Sequence, residues 1–203
     1  MINMFLSSSF ADVQEQFEDY LKKFSLAKTV AFIPTASLVE EIDFYVDEAR
    51  ATFKLLGFEI EELDVAIADP ETIRETLQRN NFIYLSGGNS FFLLEKLKSS
   101  GAAKQIIEAV NAGKVYLGES AGAIVAAPSI SYIAKMDDRN QAENLISEDG
   151  LNLTTCYPLP HYKEEYFSAV SLEIFHDFND LIELVPLTNK EALIIEDHSF
   201  FIR

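Results

Sequence analysis

Residues 118–122 read Gly-Glu-Ser-Ala-Gly, and they lie between Lys-Val-Tyr-Leu and Ala-Ile-Val-Ala-Ala-Pro. A short apolar strand therefore runs into a Gly-x-Ser-x-Gly turn and on into a helix of small residues, the pattern of a nucleophile elbow. The glycines matter because a strand-to-helix reversal strains the serine backbone and brings strand and helix too close for larger side chains. The reversal leaves the Ser120 hydroxyl exposed at a strand's carboxyl end. A serine at its ordinary pKa is a weak nucleophile, so the turn has chemical meaning only beside a base. Without one it reads as a strand, a turn and a capping serine.

Three histidines are available. His176 falls on a late helical stretch and reads as a surface or boundary residue, and His198 falls in a terminal turn. His161 follows a strand and a Pro-Leu-Pro, which places it at a strand's carboxyl end and on the rim that carries Ser120. It is the candidate general base. Acyl transfer also needs donors for the developing oxyanion, each worth about 100- to 1000-fold in turnover. The elbow offers the Ala121 amide, and the turn Gly87-Gly88-Asn89-Ser90 offers a second amide with no side chain in the way. Gly87, Gly88, Asn89 and Ala121 are thus the candidate oxyanion and substrate-binding residues. A phosphate-cradling role for Gly87-Gly88 lacks the Gly-Lys-Ser/Thr that it would need.

These groups must be held by a scaffold, and the hydropathy pattern supplies one. Segments at 2–6, 58–63, 82–85 and 114–117 read as strands, as does the uninterrupted apolar run at 29–33. Between them, helical periodicity marks 10–24, 41–56, a segment opened by Asp69-Pro70, a segment from residue 91, and 102–110. Strands alternating with helices imply a single α/β domain over 1–203, with a mostly parallel sheet covered by helices on both faces in three layers. Ligands of such sheets bind outside the carboxyl ends of the strands. Beyond residue 128 the pattern changes. Residues 129–153 read as a long loop, 153–159 and 181–185 as strands, 167–178 as a helix and 192–202 as a terminal hairpin.

Composition narrows the function. A formal charge of −17, from 33 acidic against 16 basic residues, argues against nucleic acid as a partner. No apolar run is long enough to span a membrane. The start of the chain lacks the positive and apolar regions of a signal peptide, so a reduced cytoplasm is the expected compartment. The one cysteine, Cys156, excludes an intrachain disulfide and a cysteine-based zinc cluster and is expected to be buried and inert. No metal or other cofactor is expected.

Taken together, Gly-x-Ser-Ala-Gly-Ala at 118–123, Gly-Gly-Asn-Ser at 87–90 and Pro-His at 160–161 resemble the peptidase E (aspartyl dipeptidase) and cyanophycinase family of serine peptidases. The resemblance implies a fold similar to class I glutamine amidotransferase domains. It also implies Ser120 as nucleophile, His161 as base, and Gly88 and Ala121 as oxyanion donors. Two departures stand out. The family's third triad member is a glutamate, and direct matching puts Asn189 there, with Glu191 two residues on and Asp137 and Asp138 in the long loop as rivals. The relatives' loop aspartate matches Lys135.

The second departure is that aspartyl dipeptidases read their substrate with an arginine after the catalytic histidine, and residues 162–180 contain none. A generic short peptide is the expected substrate, and a homodimer is compatible with the family likeness. An esterase using His198 as a late base, and a binding protein that has kept the scaffold but lost the chemistry, are the alternatives.

Overall fold

The computed structural model describes residues 2–197 and 199–203. Among them, β1 (Asn3–Ser7), β2 (Thr29–Ile33), β3 (Glu59–Glu62), β4 (Phe82–Leu85), β5 (Val115–Glu119), β8 (Ala192–Glu196) and β9 (Ser199–Ile202) form one sheet. Their order is β3-β2-β4-β5-β1-β8-β9. The first five are mutually parallel, while β8 runs antiparallel to β1 and β9 antiparallel to β8. The α/β architecture expected from the alternating pattern is the observed one.

Successive strand residues point to opposite faces, and the sequence fills both. On one face Phe5, Phe32, Phe82, Tyr84 and Leu117 pack with Phe10, Phe17 and Phe53 from α1 (Gln14–Leu21), α2 (Phe44–Leu55) and the turn before α1. On the other, Met4, Leu6, Ile33, Ile83, Leu85 and Tyr116 pack against a larger helical layer. That layer is α3 (Pro70–Arg79), α4 (Ser90–Ser99), α5 (Ala102–Asn111), α6 (Ala121–Ile124) and α7 (Ser168–Phe178). Burial on both faces explains why β2 and β4 read as near-continuous apolar runs and not as alternating ones.

Three differences from the sequence expectations affect the site. The late strand is shorter than 153–159: only β6 (Tyr157–Leu159) forms, and it pairs in parallel with β7 (Leu184–Pro186) in a separate two-stranded sheet. The shortfall is at the N-terminal end, where the Cys156 amide donates to the Thr154 hydroxyl at 3.3 Å, a local side-chain bond in place of a ladder bond. The helix expected from residue 41 begins at Phe44, since Glu41 and Ile42 lie outside the helix and are exposed. Residues 129–153 are an ordered wrap with short 3-10 turns at Ser131–Ile133 and Arg139–Gln141. The Arg139 guanidinium pins that wrap, donating to the carbonyls of Ala142 and Leu145 and to Glu148.

The elbow glycines are tightly packed. A Cβ on Gly122 would stand 2.2 Å from the Leu85 carbonyl oxygen, and one on Gly118 would stand 2.6 Å from the Gly122 oxygen. Tyr116 braces the same crossing from within the core, its hydroxyl donating to the Gly122 carbonyl at 2.6 Å. Gly122→Ala must push α6 off β4, and overpacking of this kind costs about 1–3 kcal/mol. The expected result is a lower urea midpoint at unchanged m-value.

Candidate active site

Ser120 follows β5 directly and stands at the N-cap of α6 with φ 45° and ψ −104°, a conformation that non-glycine residues rarely adopt. Hydrogen bonds hold this strained residue from both sides. Its amide donates to the Ser7 carbonyl, its carbonyl accepts from Ala123 and Ile124, and Gly122 N–H reaches Ser86. The hydroxyl therefore projects above the carboxyl edge of the parallel strands, the expected position for a ligand site in such a sheet.

His161 reaches this hydroxyl from outside the main sheet. It follows β6 with φ 57°, and its position is fixed by a splice between the two sheets at Ser8 and Leu187. The Ser8 hydroxyl, just past β1, donates to the Leu187 carbonyl at 3.0 Å and accepts the His161 amide at 3.1 Å. Leu187, just past β7, donates to Leu159 and accepts from Tyr162, both at 2.9 Å. The chain after β7 is thereby laid alongside the chain after β6, which brings Asn189 next to His161.

The resulting relay is continuous. His161 Nε2 lies 3.0 Å from Ser120 Oγ, and His161 Nδ1 lies 2.8 Å from Asn189 Oδ1. The amide oxygen of Asn189 can only accept, so it places the ring proton on Nδ1 and leaves Nε2 free to take the Ser120 proton. Phe167 stacks on the imidazole at 4.7 Å between centroids and 21° between planes, which restricts rotation of the ring. Burial pushes the His161 pKa below the ordinary histidine value, while the Asn189 hydrogen bond and the nearby Glu164 charge oppose the shift. The ring is thus favoured in its neutral, basic form.

The rival acids are elsewhere. Glu191 turns away from His161 and closes the Thr188 to Glu191 turn, accepting the Thr188 amide at 2.9 Å and hydroxyl at 2.8 Å. Asp137 lies half-buried against the start of α4, where it accepts the Ser90 amide and hydroxyl, and desolvation pushes its carboxyl up to about 6. Asp138 accepts from the Asn140 amide and side chain. Lys135, at the family's aspartate position, pairs with Glu173 and Asp177. His176 is exposed, Cys156 is buried, and His198 lies outside the described residues.

Gly87-Gly88 packs beside Ser120. A Cβ built on Gly87 would come within 3.5 Å of Ser120 Cβ, and the Tyr45 ring covers the same position at 3.3 Å. Gly88 has φ 129°, and a Cβ there would fall 2.2 Å from the Ala36 carbonyl oxygen, so only glycine fits. Across from it, Ala121 opens α6, and the N–H of a first-turn residue has no carbonyl within its own helix. Asn89 holds the scaffold and not the ligand space. Its oxygen caps α4 through the Phe92 amide, and its NH₂ donates to the Asp138 carbonyl.

Glu164, Phe167 and Ser8 were not expected at the site from the sequence. Glu164 accepts the Asn189 amide at 2.9 Å and so supports the residue that orients His161. Its spacing three residues after His161, within a tight turn, was the available signal. Ser8 carried none, because its partner lies 153 residues away.

Among the described residues, no group of three or more His, Cys, Asp or Glu is placed to hold a metal ion, and no helix is long and apolar enough to cross a membrane. Comparison with known proteins gives the family. A family profile described as Peptidase family S51 matches residues 4–203. An uncharacterized peptidase of Listeria innocua is 45% identical over 97% of this chain and 94% of its own. Peptidase E of a Nostoc species is 29% identical over 97% of this chain and 83% of its own. A crystal structure of a Listeria monocytogenes protein described as a peptidase E candidate superposes with a TM-score of 0.93 at 42% identity, covering 100% of this chain and 98% of that one. By sequence, fold and the placement of its motifs, the chain belongs to peptidase family S51.

Proposed function

We propose that this protein is a serine peptidase hydrolysing short peptides, with Ser120 as nucleophile, His161 as general base and Asn189 orienting the base. The observation that carries the reading is the unbroken run Ser120 Oγ, His161 Nε2, His161 Nδ1, Asn189 Oδ1, with gaps of 3.0 and 2.8 Å. In the first step Ser120 Oγ attacks the peptide carbonyl carbon while its proton passes to Nε2, and the carbonyl oxygen takes the negative charge. The amides of Ala121 and Gly88 receive that charge. Collapse of the intermediate breaks the C–N bond, and Nε2 returns the proton to the departing amine. Water then repeats the sequence on the acyl-enzyme, releasing the acid and restoring Ser120.

An aspartyl preference is not part of this reading. No arginine follows His161 up to residue 180, and the Lys163 ammonium lies 4.9 Å from the Tyr162 ring centroid. The experiment is covalent labelling with a serine-directed phosphonate, mapped by mass spectrometry, together with hydrolysis of a set of dipeptides. Label on Ser120 is expected. A folded protein left unlabelled across pH 5 to 9 supports the scaffold without the chemistry.

The pH profile is a second expected outcome. Labelling needs neutral His161, so protonation extinguishes it as pH falls. Because burial depresses the His161 pKa, the acid limb should lie below the ordinary histidine value of about 6.5. An acid limb above 7 would show that a group other than this buried imidazole controls the nucleophile.

A further inference from the structure

The turn after β6 carries more than the base. His161 and Lys163 both have left-handed backbone, with φ 57° and 61°. The turn folds Glu164 back on its own start, so that the Glu164 amide donates to the His161 carbonyl at 3.1 Å and the Glu164 carbonyl accepts the Phe167 amide at 2.9 Å. The Glu164 side chain crosses to the chain after β7, where Oε1 accepts the Asn189 backbone amide at 2.9 Å. Asn189 Oδ1 in turn lies 2.8 Å from His161 Nδ1. A carboxylate therefore stands one residue behind the imidazole, joined to it by two hydrogen bonds through Asn189. Of the other charged groups in these two turns, Lys163 sits over the Tyr162 ring, Glu165 is exposed, Lys190 lines a groove with Asp12 and Glu15, and Glu191 is held by Thr188.

We infer that Glu164 is a positioning residue whose carboxylate, acting through Asn189, supplies the negative charge that a Ser-His-Asn relay lacks. Its effect on rate rests on the serine peptidase reading, but its effect on the charge state of His161 is a property of the fold. Asn189 is neutral. It can orient the ring, yet it cannot offset the positive charge that the ring gains when Nε2 takes the Ser120 proton. Burial disfavours that charge, and the Glu164 carboxylate is among the groups that oppose the burial effect. A carboxylate nearby favours the charged ring, and so favours the transition state in which the charge appears. Holding the Asn189 amide needs only an acceptor, whereas offsetting the ring charge needs an anion.

Glu164→Gln separates these two roles. The glutamine oxygen can still accept the Asn189 amide, so the hydrogen bond stays and the charge goes. The Ser120 phosphonate labelling rate and kcat should fall about tenfold, the equivalent of one pKa unit, with KM within about twofold. The acid limb should also move to lower pH, because His161 without the carboxylate protonates less readily and the rate requires it neutral. Glu164→Ala loses the acceptor as well and should be slower still. NMR titration of the His161 ring, assigned by comparison with His161→Ala, reads the charge without turnover, and its pKa should drop by up to about one unit in Glu164→Gln. In an Asn189→Asp background the effect of Glu164→Gln on rate should change sign, because a carboxylate at 189 makes the charge of Glu164 a repulsive surplus.

An unmoved His161 pKa in Glu164→Gln overturns the inference, whatever the activity. A Glu164→Gln enzyme as fast as the parent beside a slow Glu164→Ala also overturns it, since Glu164 is then only a strut. Equal slowing by Glu164→Gln in the parent and Asn189→Asp backgrounds does so too, because one charge is then no substitute for the other. A lowered His161 pKa, in a protein whose wild type takes no label at Ser120, upholds the charge coupling and rejects the peptidase reading.

Discussion

Ser120→Ala should lower peptide turnover about 10⁶-fold, and His161→Ala should do nearly the same, because nucleophile and base act as one unit. The double variant should be no slower than either single one. Non-additivity is the informative part. If Ser120 attacks only when Nε2, 3.0 Å away, takes its proton, then removing either partner already removes the step. What remains is catalysis by the oxyanion donors and by binding, about 10³- to 10⁴-fold over water. Single-turnover rates on a dipeptide, with stopped reactions followed for days, measure all three variants. Independent, multiplying losses would mean that His161 acts somewhere other than on Ser120. The strain at Ser120 adds a second readout. Replacing a serine held at φ 45° with alanine leaves the strain in place but removes the Oγ contact to His161, so the variant should unfold no more than modestly earlier than the parent.

The parts of this architecture that sequence reveals are those with local causes. Elbow glycines, apolar strands and helix periodicity each follow from neighbours in the chain, and the sheet built from them places Ser120 and Gly87-Gly88 on one edge as expected. The sequence points to His161 by its strand-end position, and it does reach Ser120, but by a different route. Its strand belongs to the small second sheet, and the Ser8 and Leu187 splice brings it across. That splice joins residues up to 179 positions apart, so no window of sequence contains it. The choice between Asn189 and Glu191 was illegible for a related reason. They are two residues apart in one turn, and only the folded turn shows that Glu191 is consumed by Thr188 while Asn189 faces the imidazole. Glu164 reads as an ordinary charged residue until the structure shows it holding Asn189.

Asn189 gives the second large effect. Asn189→Leu keeps roughly the same shape and removes the oxygen that fixes the Nδ1 proton, 2.8 Å away. The imidazole is then free to adopt the wrong tautomer, with Nε2 protonated and unable to accept from Ser120. General acid–base assistance of this kind is worth about 10²- to 10⁴-fold, and kcat/KM should fall within that range. Asn189→Asp works in the opposite sense. A carboxylate at this position favours the charged ring, so the His161 pKa rises from its depressed value. Because the rate requires neutral His161, the acid limb must then move to higher pH. Above that limb the carboxylate stabilises the imidazolium formed during attack, and turnover should equal or exceed that of the parent. Glu164 tempers the gain, since its carboxylate already accepts the Asn189 amide and would face a second negative charge. Asn189→Asp combined with Glu164→Gln should therefore be the faster of the two aspartate variants. Full pH profiles of kcat/KM decide the matter: an acid limb that does not move in Asn189→Asp, or an Asn189→Leu variant within threefold of the parent, would remove Asn189 from the relay.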